Sequence, residues 1–348
     1  MEPDHPPQRW SALPEVGVPG AHPNLHKAPV VLEARHVSVE FVSDHKPPAR
    51  AVDEVSFILH EGEMLGLVGE SGCGKTTLML SLMRLLPSAG RIVQGEIIFR
   101  GSDLLNLSES EMGDIRWKGI SMVFQGAMNA LNPVRTIGDQ IREPILRHNY
   151  LTSKEAIDKR VDDLLDMVGI ASQRRDQYPH QYSGGMRQRA MIAMALACDP
   201  PVVIADEPTT ALDVMVQAQI LELLDTLRHN LGLSVILVTH DLGVIAEVCD
   251  SVLVMYGGVT AEYASVDTIY NQPQHPYTRQ LLAAFPDLTD PQSNLTAIPG
   301  YPPRLDELPP GCRFAPRCEV AFDRCHLEKP ALHRLGSFHQ ASCHRVKP

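Results

Sequence analysis

The sequence has no surplus of positive charge: 31 Lys and Arg stand against 42 Asp and Glu, a net charge of -11. Proteins that hold nucleic acid electrostatically carry a basic domain or stripe, so DNA is not the expected partner. It also lacks any apolar run long enough to cross a bilayer. The most apolar stretches, MIAMALAC at 191–198 and SVILVTH at 234–240, fall far short of the roughly 20 residues a membrane span needs. Membrane contact is therefore expected to come through a partner. The first 20 residues, MEPDHPPQRWSALPEVGVPG, have neither a basic start nor an apolar segment. No secretory signal is read there, and the cytoplasm is the expected compartment. No internal repeat is present. Tight cysteine pairs are missing too, and the seven cysteines are not read as disulfides, because cytosolic reductants keep such thiols reduced.

What is present is enough apolar material for a core, 44% of 348 residues, organised in two parts. Residues 1–29 are rich in proline and are expected to form a flexible tail. From Val31 the pattern is strand-like: VLEARHVSVEF alternates, a polar proline-containing loop is expected at 43–50, and EVSFILH and EMLGLVG follow. Apolar strands then alternate with helical segments: GISMVFQ, a helix-rich stretch over 137–180, PPVVIADE, a helix over 214–230, and SVILVTHD. Near-continuous apolar strands between helices predict a parallel sheet covered on both faces, an α/β fold with an antiparallel edge. Beyond 270 the composition shifts to Pro, His, Arg and Cys, which marks a smaller C-terminal region, 271–348.

The strongest local signal is Gly69-Glu70-Ser71-Gly72-Cys73-Gly74-Lys75-Thr76, a Walker A loop placed between the strand EMLGLV and the helical TLMLSLMRLL. The glycines let backbone N–H groups and a helix N-terminus surround phosphate oxygens. Lys75 would reach the β and γ phosphates, and the Thr76 hydroxyl would ligate magnesium. Thr77 adds a further phosphate contact. The strand Val202–Asp206 runs into Glu207, a Walker B arrangement in which Asp206 holds magnesium and Glu207 polarises water. Alone, such a strand is equally well read as ending in solvated acids.

Between the two Walker motifs lies Tyr182-Ser183-Gly184-Gly185-Met186. Ser183 is placed to cap a helix whose positive end would face a phosphate, although a lone Ser-Gly-Gly is usually a turn. Gln125 ends the strand GISMVFQ, Asp213 follows Ala211-Leu212, and His240 follows SVILVT. Individually these read as a strand-end glutamine, a helix-start acid and a satisfied histidine.

Taken in order, these elements resemble the ATP-binding domain of ABC transporters over roughly 31–270, with Tyr and Met flanking the Ser-Gly-Gly core where that family usually has Leu and Gln. The resemblance implies a P-loop ABC-type ATPase domain at 30–270 with a helical subdomain at about 126–185. It implies ATP and Mg2+ as ligands, Gln125 as the Q-loop that ligates Mg or its water, Asp213 as the D-loop and His240 as the switch histidine. Gly69, Ser71, Gly72, Cys73, Gly74, Lys75, Thr76 and Thr77 would hold the phosphates. Phe41 is the aromatic chosen to stack on adenine, though the family more often has Tyr there and a strand Phe is as often core.

NALNPVRTIGDQI (129–141), PHQYSGGMRQR (179–189) and HPYTRQLLAAFP (275–286) narrow the resemblance to the ATPases of oligopeptide and dipeptide importers. The implied partners are two transmembrane permease subunits, an extracytoplasmic substrate-binding protein and a second ATPase subunit, identical or merely homologous. The second copy is required because Ser183, Gly184 and Gly185 of one subunit close on the other's nucleotide. The implied place is the cytoplasmic face of the membrane. Relatives that move nickel or oligosaccharides remain open, as does a non-transport ABC ATPase, though this chain has no coiled-coil insertion or tandem domain. An ordinary P-loop kinase or GTPase would lack the Ser-Gly-Gly element.

Four cysteines, Cys312, Cys318, Cys325 and Cys343, are spaced C-x5-C-x6-C-x17-C. In a short, proline-rich segment they point to a metal staple. Structural zinc favours tight pairs, whereas an iron–sulfur cluster needs four converging thiolates. Related importer ATPases carry a [4Fe-4S] cluster on similar cysteines, so the resemblance favours that reading over zinc or no metal. His326 and His344 are possible substitute ligands.

Overall fold

The computed structural model describes residues 28–43, 46–126, 130–284, 298–336 and 338–346. The tail expected at 1–29 lies almost wholly outside them. The described residues form two compact units: one spans 107–236, and the other takes the chain on either side of it, from 28 to 106 and from 237 onward.

The flanking unit opens with β1 (Val30–Ser43) and β2 (Lys46–His60). They pair antiparallel, with Phe41 opposite Ala49 and Val37 opposite Val55. The loop expected at 43–50 is thus mostly strand. Glu40 pairs with Arg50 in the ladder, and the Arg50 guanidinium donates to Glu40 Oε1 at 2.8 and 3.0 Å. Pro47 and Pro48 are exposed on β2, the outermost strand of the order β2-β1-β4-β5. An edge strand tolerates proline because its outward N–H has no ladder partner to lose. Strand β3 (Met64–Val68) is buried throughout and feeds α1 (Lys75–Leu82), after which β4 (Gly90–Phe99) and β5 (Ser102–Asp103) complete the antiparallel sheet.

The 107–236 unit starts with α2 (Glu109–Ile115), where the Ser108 side chain and Glu111 form a reciprocal capping box. Strand β6 (Ile120–Val123) is followed by α3 (Ile137–Arg147), α4 (Lys154–Met167) and α5 (Gly184–Ala195). Helix α4 buries Ile157, Val161, Leu164 and Leu165, the stripe that a helical period of 3.6 lays on one face. Strand β7 (Val202–Asp206) runs parallel to β6 with Val123 opposite Ala205. Helix α6 (Val214–Leu231) ends at Gly232, whose φ of 64° supplies the left-handed C-cap. The chain leaves this unit within β8 (Ser234–Val238).

The flanking unit resumes with α7 (Leu242–Val248), β9 (Ser251–Tyr256), β10 (Val259–Ser265), α8 (Val266–Asn271) and α9 (Pro276–Ala283). Helix α10 (Asp323–Leu327) and strands β11 (His333–Gly336) and β12 (His339–Ala341) follow. β9 is parallel to β3, and β10, β12 and β11 extend from it antiparallel. Gly66 is what lets α7 lie on β3: a Cβ there would sit 2.4 Å from Ile245 Cδ1.

The C-terminal region is docked, not appended. Buried Glu262 on β10 accepts from the Gln274 and His275 amides at 2.7 and 2.9 Å and from His339 Nε2 at 2.8 Å. Tyr277 and Phe314 pack on Tyr256 with ring centroids 4.6 and 5.1 Å apart, in the tilted and edge-on arrangements that aromatic rings prefer.

His275, at the start of α9, is fully enclosed beside these rings, and its Nδ1 accepts from the Tyr277 amide at 3.0 Å. Burial pushes its pKa from 6.5 down to about 4, against a hydrogen bond to the Ser342 backbone that opposes the shift. The unfolded chain therefore binds a proton in the window where the folded one does not. Stability should be level above pH 6.5 and decline as pH falls from 6.5 toward 4, by roughly 3 kcal/mol in all. His275→Asn keeps a helix cap and removes the titration; urea unfolding at a series of pH values should show a flatter profile for it, and identical profiles would contradict the assignment.

Candidate functional site

In the flanking unit β3 delivers the chain into the loop Gly69–Gly74. Gly69, Gly72 and Gly74 have φ of 151°, 78° and 101°. At two of them the backbone is pressed against another carbonyl: a Cβ on Gly69 would lie 2.2 Å from Met255 O, and one on Gly74 2.3 Å from Ala51 O. Gly74 is the N-cap of α1 and no side chain caps the helix, so its first turn directs backbone N–H groups into the loop. Lys75 is 6% exposed, and its Nζ donates to Gly69 O at 2.7 Å and Glu70 O at 3.2 Å. Thr76 is exposed and Thr77 half-buried at the loop's mouth. Cys73 is buried beneath it.

A cavity of about 550 Å³ lies beside this loop, lined by Phe41, Pro47 and Ala49, by Ser71 and Gly72, and by residues 302–306. Phe41 is thus brought to the phosphate loop, its ring edge against Gly90. The C-terminal wall, Pro302 to Asp306, was not foreseen. His240 is exposed two residues past β8, where Thr239 N donates to Leu67 O at 3.2 Å. Asp241 caps α7 by accepting from Gly243 and Val244 amides.

In the 107–236 unit the parallel register of β6 and β7 sets Gln125 opposite Glu207. Gln125 Nε2 donates to Glu207 Oε2 at 2.7 Å, and Thr210 Oγ1 donates to the same oxygen at 3.0 Å. Asp206, just before, is 1% exposed. Glu207 and Ala211 have φ of 44° and 65°, left-handed conformations that cost a non-glycine residue about 1 kcal/mol or more and concentrate at functional turns. Thr210 escaped the sequence reading, since only the turn brings it to the carboxylate.

Ser183 caps α5, its hydroxyl accepting from Met186 N at 3.3 Å. Gly184 packs against the segment that leads into α6 and Gly185 against its first turn: a Cβ on Gly184 would meet Leu212 Cδ2 at 3.4 Å, and one on Gly185 would meet Val216 Cγ1 at 2.6 Å. Tyr182 is buried with its hydroxyl donating to Arg174 O at 3.0 Å, and burial pushes its pKa up to about 12. Asp213 caps α6, accepting from Val216 N at 3.0 Å, and Val214 and Met215 after it are about four-fifths exposed.

Cys312, Cys318, Cys325 and Cys343 line one water-sized cavity, together with His275 and His344. His326, in contrast, does not line it. Among the described residues, no group of three or more His, Cys, Asp or Glu side chains is arranged to hold a metal ion.

A glycine-lined phosphate loop with its lysine, and a strand-end Asp-Glu pair with a glutamine partner, define an ATP-binding cassette. The ABC transporter family pattern matches residues 52–210, and the pattern of the oligopeptide/dipeptide transporter C-terminal region matches 261–325. A probable peptide ABC transporter ATP-binding protein of Sinorhizobium fredii is 47% identical over 92% of this chain and 96% of its own length. A dipeptide transport ATP-binding protein of Bacillus subtilis is 48% identical over 90% and 94%. Among solved structures, a dimeric ATP-binding cassette in a post-hydrolysis state with ADP and Pi matches with a TM-score of 0.61 and 28% identity, over 68% of this chain and 98% of that one. The chain belongs to the ABC transporter ATP-binding subunits, an ATPase family.

The crowding around the loop separates two of its glycines. Gly74→Ala forces a Cβ into Ala51 O and should cost well over 2 kcal/mol, whereas Gly72→Ala meets nothing within 4 Å and bears only the left-handed penalty of about 1 kcal/mol. Thermal unfolding of the two variants should rank them in that order; equal losses would show that the close approach is not what fixes the loop.

Proposed function

We propose that the chain binds Mg·ATP on Gly69–Thr77, hydrolyses it through Glu207, and thereby energises import of oligopeptides or dipeptides. The carrying observation is the Gln125–Glu207–Thr210 cluster: a carboxylate at a parallel-strand end, held by two donors on one oxygen in a strained backbone conformation. That arrangement orients a general base toward water. The hydroxyl of Thr76, the buried carboxylate of Asp206 and the amide oxygen of Gln125 are the hard oxygen donors magnesium takes. When bound, the ion would neutralise charge on the β and γ phosphates.

Phe41, on the wall of the cavity beside the loop, is the adenine platform in this reading. Ser183, Gly184 and Gly185 supply the phosphate-facing helix start to a second ATPase subunit, Asp213 lies at that subunit contact, and His240 contacts the γ phosphate. The names of the relatives, together with the C-terminal family pattern, support a peptide as cargo. Within the 107–236 unit, a groove of about 350 Å³ lined by Trp117, Phe124, Pro144, Met191 and Met194 among others suits the apolar face of a permease helix. No helix among the described residues is long and apolar enough to cross a membrane. Two permeases, an extracytoplasmic substrate-binding protein and a place on the cytoplasmic face complete the proposal.

The four thiols around one cavity support a C-terminal [4Fe-4S] cluster, in which each iron takes one cysteine. Its ligands would be Cys312, Cys318, Cys325 and Cys343, and it would order the C-terminal segment.

Glu207→Gln should retain ATP affinity while turnover falls by a factor of about 10² to 10⁴, the contribution of a positioned base; wild-type phosphate release from that variant would remove Glu207 from its role. Protein purified without oxygen should be brown and carry about four irons and four sulfides per chain, with colour lost in Cys318→Ser. Colourless protein would dismiss the cluster.

A further inference from the structure

Glu70, the second residue of the phosphate loop, is gripped at every polar group it has. Its carbonyl accepts from Lys75 Nζ at 3.2 Å. Its amide donates to the Tyr277 hydroxyl at 3.0 Å. Its carboxylate accepts both terminal nitrogens of Arg317, at 2.6 and 3.0 Å, the bidentate fork that gives a charge pair directional specificity. Two of these partners come from the C-terminal region, more than 200 residues downstream.

Arg317 is itself fixed. Its side chain is 5% exposed. Nη1 also donates to the Tyr256 hydroxyl at 3.1 Å, and Nε donates to Pro299 O at 2.8 Å. The guanidinium lies 5.7 Å from the Tyr256 ring centroid. It ends the short turn Ala315–Arg317, immediately before Cys318 of the thiol-lined cavity. The neighbouring Arg313 anchors the same turn to Asp53 and to Gly257 O, so the segment cannot slide without releasing both arginines.

We propose that Arg317 is a positioning residue for the phosphate loop: it fixes the loop's conformation at Glu70 and cancels the carboxylate charge that would otherwise repel a nucleotide polyphosphate. The proposal rests on the reading of Gly69–Thr77 as the ATP phosphate site. A carboxylate in the loop is unfavourable for an anionic ligand unless its charge is offset nearby, and Arg317 is the cation in bidentate contact with it. The C-terminal region is by this account a structural part of the nucleotide site.

The test is a double-mutant cycle on the full chain, with Mg·ATP dissociation constants measured by titration and unfolding midpoints recorded alongside. Arg317→Gln leaves Glu70 uncompensated and should weaken Mg·ATP binding about tenfold, the factor that corresponds to losing one charge-assisted pair. Glu70→Gln/Arg317→Gln removes the repelling charge as well, and should bind more tightly than Arg317→Gln alone. Arg317→Lys keeps the charge without the fork and should fall between wild type and Arg317→Gln. A merely structural role would make the double variant no better than the single one, and that outcome overturns the proposal, as does unchanged affinity in Arg317→Gln. Lys75→Ala separates the two levels: if it loses ATP affinity while Arg317→Gln does not, positioning by Arg317 fails and the phosphate-loop reading stands. If Lys75→Ala keeps its affinity, the reading itself fails.

Discussion

The proposed nucleotide site depends first on a contact between backbones. Gly69 and Gly74 bring the phosphate loop so close to the carbonyls of Met255 and Ala51 that no side chain fits between them. This closeness is what curls the chain between β3 and α1. It also links the loop to β2 and to the β9–β10 hairpin, because Gly258 N donates to Cys73 O and Asp53 N to Gly258 O, at 2.9 and 2.8 Å. The loop is therefore tied to the strands it touches, and amides held in place before a ligand arrives, as proposed for the phosphates of ATP, need no ordering at the moment of binding.

In the other unit a different constraint orients Glu207, the proposed base. Parallel pairing of β6 and β7 carries Gln125 and Glu207 to the same end of neighbouring strands, and the left-handed backbone at Glu207 turns its carboxylate onto Gln125 and Thr210. The strain is sustained because β7 is buried over its whole length. A carboxylate placed this way gains its orientation from these two partners.

Much of this was legible in the sequence because it is local. Gly69–Thr76 between an apolar strand and a helix, the apolar run into Asp206 and Glu207, and Ser183 before a helix are short segments whose composition determines their shape. The strand and helix alternation gave the fold class for the same reason. What escaped was non-local or counter to composition. Residues 46–50 pair as strand because an edge position tolerates Pro47 and Pro48. Thr210 reaches Glu207 only through a positive φ that composition does not announce. Residues 302–306 beside the loop, and the hold of Tyr277 and Arg317 on Glu70, span more than 200 positions; no periodicity encodes such pairs. Even the cysteines, conspicuous by spacing, gave no hint that Arg317 between them reaches the Gly69–Gly74 loop.

The central claim is that the amides of this preformed loop hold the phosphates of ATP, with the C-terminal region as the loop's support. Hydrogen exchange of the full chain, with and without saturating Mg·ATP, tests it most directly. Nucleotide should slow exchange across residues 70–77 and, through Glu70, across 312–318, while helix α4 stays unchanged. Protection confined to other segments, with 70–77 exchanging as before, would contradict the account.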